Sequence, residues 1–260
     1  MDIATLERRR GLTREEFFRD YFAANRPVIL EGLLDNWPAM KLWTPDYFKQ
    51  KFGHEEVEIM ADRDADAHFE INCEQHRRKV RFGDYVDEVI NNKGNNSYLV
   101  ANNGFLESAA GCAILQDVAF FPEYLSLSDT NGRVFFWFGP AGTITPLHYD
   151  QTNIFLAQVI GFKRIRFISP DQNALMYNRV GVFSDVDYDR PNLSLFPLFR
   201  FVNSVEFILS PGEVLFIPVN WWHHVRSLTP SISVSFTNFL QPPRLCVREH
   251  QDLWGAQLIR

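Results

Sequence analysis

Cysteine is scarce in this chain: Cys73, Cys112 and Cys246 are its only three, widely spaced and without a Cys-x-x-Cys pair. An odd, scattered set excludes a disulfide framework and a clustered zinc site, and it fits idle thiols in a reducing compartment. Long apolar runs are missing too. Nothing approaches the roughly 18 consecutive apolar residues of a membrane helix, and Glu7 to Arg10 put charge where the apolar core of an export signal would sit. The expectation is a cytoplasmic protein with no membrane partner. Charge of one sign is also lacking: 26 Lys and Arg against 32 Asp and Glu give a formal charge of −6. The basic runs Arg8-Arg9-Arg10 and Arg77-Arg78-Lys79 are short, so no nucleic-acid partner is expected and a basic peptide suits the balance better. There is no internal repeat and no low-complexity tract.

What the chain has instead is apolar mass. With 46% hydrophobic residues and 24 Phe, it holds enough material for one large core, and residues 1–260 read as a single domain. Thr13 and Glu16 have capping-box spacing, and Phe17, Phe18, Tyr21 and Phe22 follow at helical spacing until Pro27. Thr44-Pro45 opens a second helix, and a third is expected over 82–90. From Ser97 onward short β-rich runs take over, at 98–101, 134–138, 154–160, 164–168, 205–209, 214–218 and 232–239, with Pro and Gly at most junctions. That series predicts a mainly β jelly roll over 131–240, supported by helices and strands in 1–130 and followed by a C-terminal segment, 241–260. Residues 171–204 interrupt the series as a long insertion, a candidate wall of the substrate cleft.

The chemistry concentrates at His148-Tyr149-Asp150 and at Trp221-Trp222-His223-His224. In an extended strand His148 and Asp150 project to one side and Tyr149 to the other. A second histidine from another strand completes a facial triad, the arrangement of non-haem Fe(II) sites that keep positions open for a co-substrate and dioxygen. Spacing alone leaves His223 and His224 equal as the third ligand. Three protein ligands suggest a chelating co-substrate such as 2-oxoglutarate, whose far carboxylate needs a cation and hydroxyl donors. Lys163 is the best cation, Arg164 should face the other way, and Thr145 and Tyr98 are the hydroxyl candidates.

The run from Trp137 to Asp150, the element Gly161-Phe162-Lys163, the segment from Ser210-Pro211-Gly212-Glu213 to His223, and Ser231 to Phe236 together resemble a JmjC-domain hydroxylase of the cupin-like class. The resemblance is specific over about 131–240 and diffuse before that. It leans toward the JmjC-only arginyl hydroxylases, and next toward the asparaginyl hydroxylase that modifies hypoxia-inducible factor. It implies a double-stranded β-helix, Fe(II), 2-oxoglutarate and dioxygen, and release of succinate and carbon dioxide. It places the metal ligands on His148, Asp150 and His223, the co-substrate lysine on Lys163, and its hydroxyl partners on Thr145 and Tyr98. One position departs from the pattern: family members usually carry asparagine four residues after the aspartate, where this chain has Ile154 and, one residue earlier, Asn153. Asn153 entering through a bulge, or Asn238 on the last strand, are the candidate replacements.

Trp221 and Trp222 can shield the metal or simply pack, and Asn102, Asn103 and the acidic run Asp185, Asp187 and Asp189 can meet substrate or form a solvated face. Three readings of function follow. The first is hydroxylation of a side chain in a protein or peptide, with histone demethylation as the same chemistry on an N-methyl group. The second is oxidation of a free amino acid or natural-product intermediate. The third is a cupin-like binding module, against which the retention of His148, Asp150, His223 and Lys163 together argues. Residues 247–259 carry an amphipathic pattern, with Leu253, Trp254 and Leu258 on one face, that would serve either a homodimer or the protein's own barrel.

Overall fold

A computed structural model describes residues 5–101 and 103–240. The expected helix over 247–259, and Asn102, lie outside the described residues. The N-terminal half contributes β1 (Arg8–Arg10), α1 (Arg14–Phe17), β2 (Val28–Glu31), α2 (Ala39–Leu42), α3 (Pro45–Phe52) and β3 (Glu56–Met60), then α4 (Cys73–His76), β4 (Arg77–Arg81), α5 (Phe82–Asn91) and α6 (Ala109–Leu115). The remainder is β5 (Val134–Gly139), β6 (Ile144–His148), β7 (Ile154–Ile160), β8 (Lys163–Ile168), β9 (Val205–Leu209), β10 (Glu213–Ile217), β11 (Trp222–Ser227) and β12 (Ser231–Phe236). Among the described residues, no helix is long and apolar enough to cross a membrane.

The strands build a six-stranded sheet in the order β1-β2-β10-β7-β12-β5 and a four-stranded sheet in the order β6-β11-β8-β9, with β3 and β4 as a separate pair. The fold is mainly β and cupin-like. Strand alternation explains how the two sheets close. On β7, Phe155, Ala157 and Val159 join a cluster with the N-terminal helices, while Leu156 joins Ile165, Phe167, Leu209, Leu215 and Val225 between the sheets. On β10, Val214 and Phe216 face the helices, and Leu215 and Ile217 face the interior.

The capping box at Thr13 and Glu16 is formed, but regular α-helix ends at Phe17. Phe18–Phe22 is a wider π turn, with Ala23 N–H bonded to Phe18 O and Arg26 N–H to Tyr21 O, each five residues back. The wider turn points four aromatic rings toward the core, where tertiary packing outweighs regular helical bonding. Phe17, fully buried, meets the rings of Tyr124, Phe155 and Phe216 at centroid distances of 4.9, 5.2 and 5.0 Å. The expected strand at 98–101 reduces to isolated bridges, Tyr98 with Met60 and Leu99 with Phe138. The last strand stops at Phe236. The basic run Arg77 to Lys79 lies in β4, where Arg77 pairs with Glu58 and Lys79 with Glu56 across the ladder. Gly161 turns β7 into β8 with φ of 73°, and a Cβ there would meet Pro230 O at 2.1 Å, so only glycine allows the turn that delivers Lys163.

Candidate metal centre

β11 pairs with β6 so that His223 lies directly opposite His148, and the register then shifts before Val225 meets Thr145. This irregularity lets two edge-adjacent histidines point inward together, with ring centroids 4.1 Å apart. Asp150 sits two residues beyond the end of β6 rather than within a strand, and Asn220 N–H holds its carbonyl at 2.9 Å. Asn220 takes a left-handed φ of 67°, which asparagine tolerates, in the turn that leads into β11. Tyr149 points away and packs edge-on against Trp222.

Each histidine bonds the carbonyl two residues before it: His148 Nδ1 lies 2.8 Å from Pro146 O, and His223 Nδ1 lies 2.9 Å from Trp221 O. A carbonyl can only accept, so both Nδ1 atoms carry the proton and both Nε2 lone pairs are free. Asp150 Oδ2 is 3.3 Å from His223 Nε2 and 3.8 Å from His148 Nε2. These separations are close to the roughly 3 Å between neighbouring ligands on a first-row divalent metal. Burial, with the neighbouring His223, pushes His148 down to about 4. Burial works against ionisation of Asp150, but the adjacent imidazoles of His223 and His148 hold it at about 2. Two imidazole nitrogens and one carboxylate, with all ligand atoms within 4.8 Å of one another, fit Fe(II). His224 faces the other side of β11, where its Nε2 is 3.7 Å from Asp189.

A cavity of about 710 Å³ opens over the three groups. Its walls bring Tyr98, Thr145 and Lys163 together with His148, Asp150 and His223. The Lys163 ammonium is 2% exposed and donates to Tyr98 Oη at 3.2 Å. Burial alone pushes it down to about 7, because no carboxylate among the described residues faces it. A buried ammonium that lacks a counter-charge is suited to a ligand carboxylate, which would restore the missing interaction. Arg164 faces outward toward Asp189, as strand alternation requires.

Asn153 and Asn238 are not among the residues that line the cavity. Asn153 Oδ1 accepts from Val219 N–H at 2.9 Å and so secures the turn before β11, while Ile154 takes its place in the cavity wall. Asn238 Nδ2 donates to Ser126 O at 2.7 Å, and its side chain also does not line the cavity. In both cases a loop backbone group takes one end of the amide. Asn103 likewise spends its amide on the carbonyls of Val100 and Phe136. Trp221 and Trp222 pack rather than line the cavity, with Trp221 Nε1 bonded to Asn25 O. The insertion does reach the cleft, through Val182 and Phe183.

Sequence reasoning missed Arg63, Glu70 and Phe183. Arg63 is fully buried, stacks 4.2 Å from the Phe69 ring, and ties Glu70 of the cavity wall to Ile144 O of β6 at 2.7 and 2.8 Å. Its setting, Asp62-Arg63-Asp64, reads as a solvated loop, and nothing in the sequence marks it as buried.

Comparison with known proteins agrees with this geometry. The cupin-like domain family matches residues 14–239. Lysine-specific demethylase 8 of Xenopus tropicalis is 36% identical over 234 residues, covering 85% of this chain and 50% of that protein. Lysine-specific demethylase JMJ30 of Arabidopsis thaliana is 32% identical over 249 residues, covering 89% and 54%. Human tRNA wybutosine-synthesizing protein 5 is 30% identical over 231 residues, covering 84% and 72%. The chain spans about half the length of the two demethylases.

Proposed function

The chain belongs to the cupin-like JmjC family, and on that premise we propose that it is an Fe(II)- and 2-oxoglutarate-dependent oxygenase that hydroxylates a side-chain carbon in a protein or peptide. The observation that carries the reading is the pairing, in one cavity, of His148, Asp150 and His223 with the buried ammonium of Lys163. His148, Asp150 and His223 would hold the iron, and Lys163 with Tyr98 and Thr145 would receive the far carboxylate of 2-oxoglutarate. Iron and 2-oxoglutarate, when bound, supply the oxidant that puts one oxygen atom of dioxygen into a C–H bond, with succinate and carbon dioxide released.

The chain's own residues do the rest. His148 and His223 offer lone pairs already oriented by their carbonyl bonds, so little reorganisation accompanies metal entry. Lys163 holds its proton at Nζ and aims it at the carboxylate, with Tyr98 Oη fixing its direction. Phe135, Trp137, Ile154, Leu156 and Phe183 make an apolar wall that excludes water. The 710 Å³ cavity has room for a side chain beside a bound co-substrate.

The demethylase relatives direct attention to N-methyl groups, where hydroxylation is followed by loss of formaldehyde. The wybutosine relative makes tRNA the competing substrate class. The net charge of −6 and the pairing of the basic β4 residues with acids on β3 support a peptide instead. Intact-mass analysis of a peptide library after incubation with Fe(II), 2-oxoglutarate and air tests this. Gain of one oxygen atom on unmodified peptides is expected. Loss of a methylene from methylated peptides alone would reassign the activity to demethylation, and modification of tRNA with inert peptides would overturn the substrate class.

A further inference from the structure

The insertion between β8 and β9 packs Met176, Val186 and Phe199 against Leu147, Ile168 and Trp222 of the four-stranded sheet, and Trp222 Nε1 donates to Asn173 Oδ1; two polar attachments stand out beside that cluster. Residues 182–184 lie along the edge of β6 away from β11: Tyr149 N–H donates to Val182 O at 3.1 Å, and Ser184 N–H donates to Leu147 O at 2.9 Å. Between them His148 and Phe183 form a bridge, and their rings stack with centroids 5.5 Å apart and planes at 26°. Five residues after Ser184, Asp189 lies across the outer face of the same sheet. Its carboxylate, 16% exposed, accepts Arg166 Nη1 at 2.6 Å and Arg226 Nε at 3.0 Å. Arg164 Nη2 and His224 Nε2 stand 3.5 and 3.7 Å away. Glu206 is the other acid on this face and takes Arg166 Nε. One carboxylate from the insertion therefore bonds side chains of both β8 and β11, which their own ladder already joins, and so ties the insertion to the pair.

We propose that Asp189 is a positioning residue for the metal centre: by clamping the insertion to β8 and β11, it keeps residues 182–184 on β6 and fixes the ring plane of His148 against Phe183. This rests on the reading of His148 as a metal ligand. β6 ends its sheet in the strand order, with β11 as its neighbouring strand among the described residues, and their register breaks next to His148. The strand that carries the ligand needs support from its other edge, which residues 182–184 supply. The His148 ring is held at Nδ1 by Pro146 O, and the stacked Phe183 limits rotation about that bond. Side chains that orient ligands indirectly commonly change metal affinity by about 10- to 100-fold when replaced.

The test uses the metal-free full chain and Asp189→Asn, with two readouts: amide hydrogen exchange, and Co(II) affinity from its visible absorption. Exchange at Tyr149 and Ser184 should quicken at least about tenfold in D189N, with β7 and β10 in the other sheet unchanged, and Co(II) should bind about tenfold more weakly. Asp189→Glu should restore both. Faster exchange spread evenly over both sheets, or unaltered Co(II) affinity, would overturn the proposal. Should D189N fail to fold, Arg226→Gln removes one partner from a half-buried position; the same local pattern supports the clamp, and no change in either readout refutes it. Native protein that binds no Co(II) would overturn the metal-centre reading itself, whereas native binding with unchanged exchange in both variants would overturn the clamp alone.

Discussion

At Lys163 the cavity holds an ammonium that burial pushes down to about 7, and binding of a carboxylate should bring its proton back. The folded value lies below the ordinary 10.5, so the folded chain binds fewer protons than the unfolded chain between about pH 7 and 10.5, and stability rises with pH across that window. The unfavourable charge is fully present below pH 7. The 2-oxoglutarate affinity should therefore be flat below about pH 7 and fall about tenfold per unit above it, until the value of the complex is reached. Isothermal titration across pH checks this, and Lys163→Met should abolish binding while leaving the fold at least as stable. An affinity indifferent to pH would place the carboxylate elsewhere. Asp189 behaves in the opposite sense. Burial opposes its charge, but hydrogen bonds from Arg226 and Arg166 hold it at about 2. Its contribution, on the order of 2 kcal/mol before discounting for solvent, should be present above pH 4 and disappear as pH falls through 2, which acid titration of D189N against the native chain would register. His148, Asp150, Thr145 and Lys163 were legible in sequence as a set from motif spacing, and the structure gathers them around one cavity. Asn153 and Asn238 were not, because an amide can bond any nearby backbone group, and here the turn before β11 and Ser126 compete for them.

Among the elements, α1 shows how far local signals reach. The capping box at Thr13 and Glu16 formed as its spacing requires, yet the helix widens at once into a π turn because four aromatic rings must meet the large sheet. Thr13→Ala should cost about 1 kcal/mol in urea unfolding without altering Co(II) affinity. A change in metal binding would mean that α1 reaches the site. The strands of the barrel read clearly from their β-branched and aromatic runs. β6 and β11 were inferred from the histidine motifs rather than from apolar runs, since Pro146 interrupts one and paired aromatics and histidines crowd the other. Their bulged pairing, a long-range feature, brings His148 opposite His223. The choice between His223 and His224, even by spacing, is decided by which face of β11 turns inward.

For the molecule as a whole, the described residues before 131 are structural partners of the barrel. β2 pairs with β10 inside the six-stranded sheet, and Phe17 locks the N-terminal turn to Phe155 and Phe216. Phe17→Ala should cost about 3–5 kcal/mol, and a fragment limited to residues 131–240 should fail to fold, lacking the strand that covers β10. A cooperative thermal transition of that fragment, followed by circular dichroism, would refute this dependence. The division into a supporting N-terminal half and a strand-rich remainder was visible in the sequence as a change of residue character near Ser97. How the halves interlock was not, because ring-to-ring contacts between distant segments leave no local pattern. One cavity unites the candidate metal triad with a buried ammonium. Succinate formation from 2-oxoglutarate under air, with and without Fe(II), in the native chain, His148→Ala and Lys163→Ala, tests it most directly. Iron-dependent succinate is expected from the native chain alone. Turnover that persists in either variant, or a native chain that binds neither iron nor 2-oxoglutarate, would contradict it.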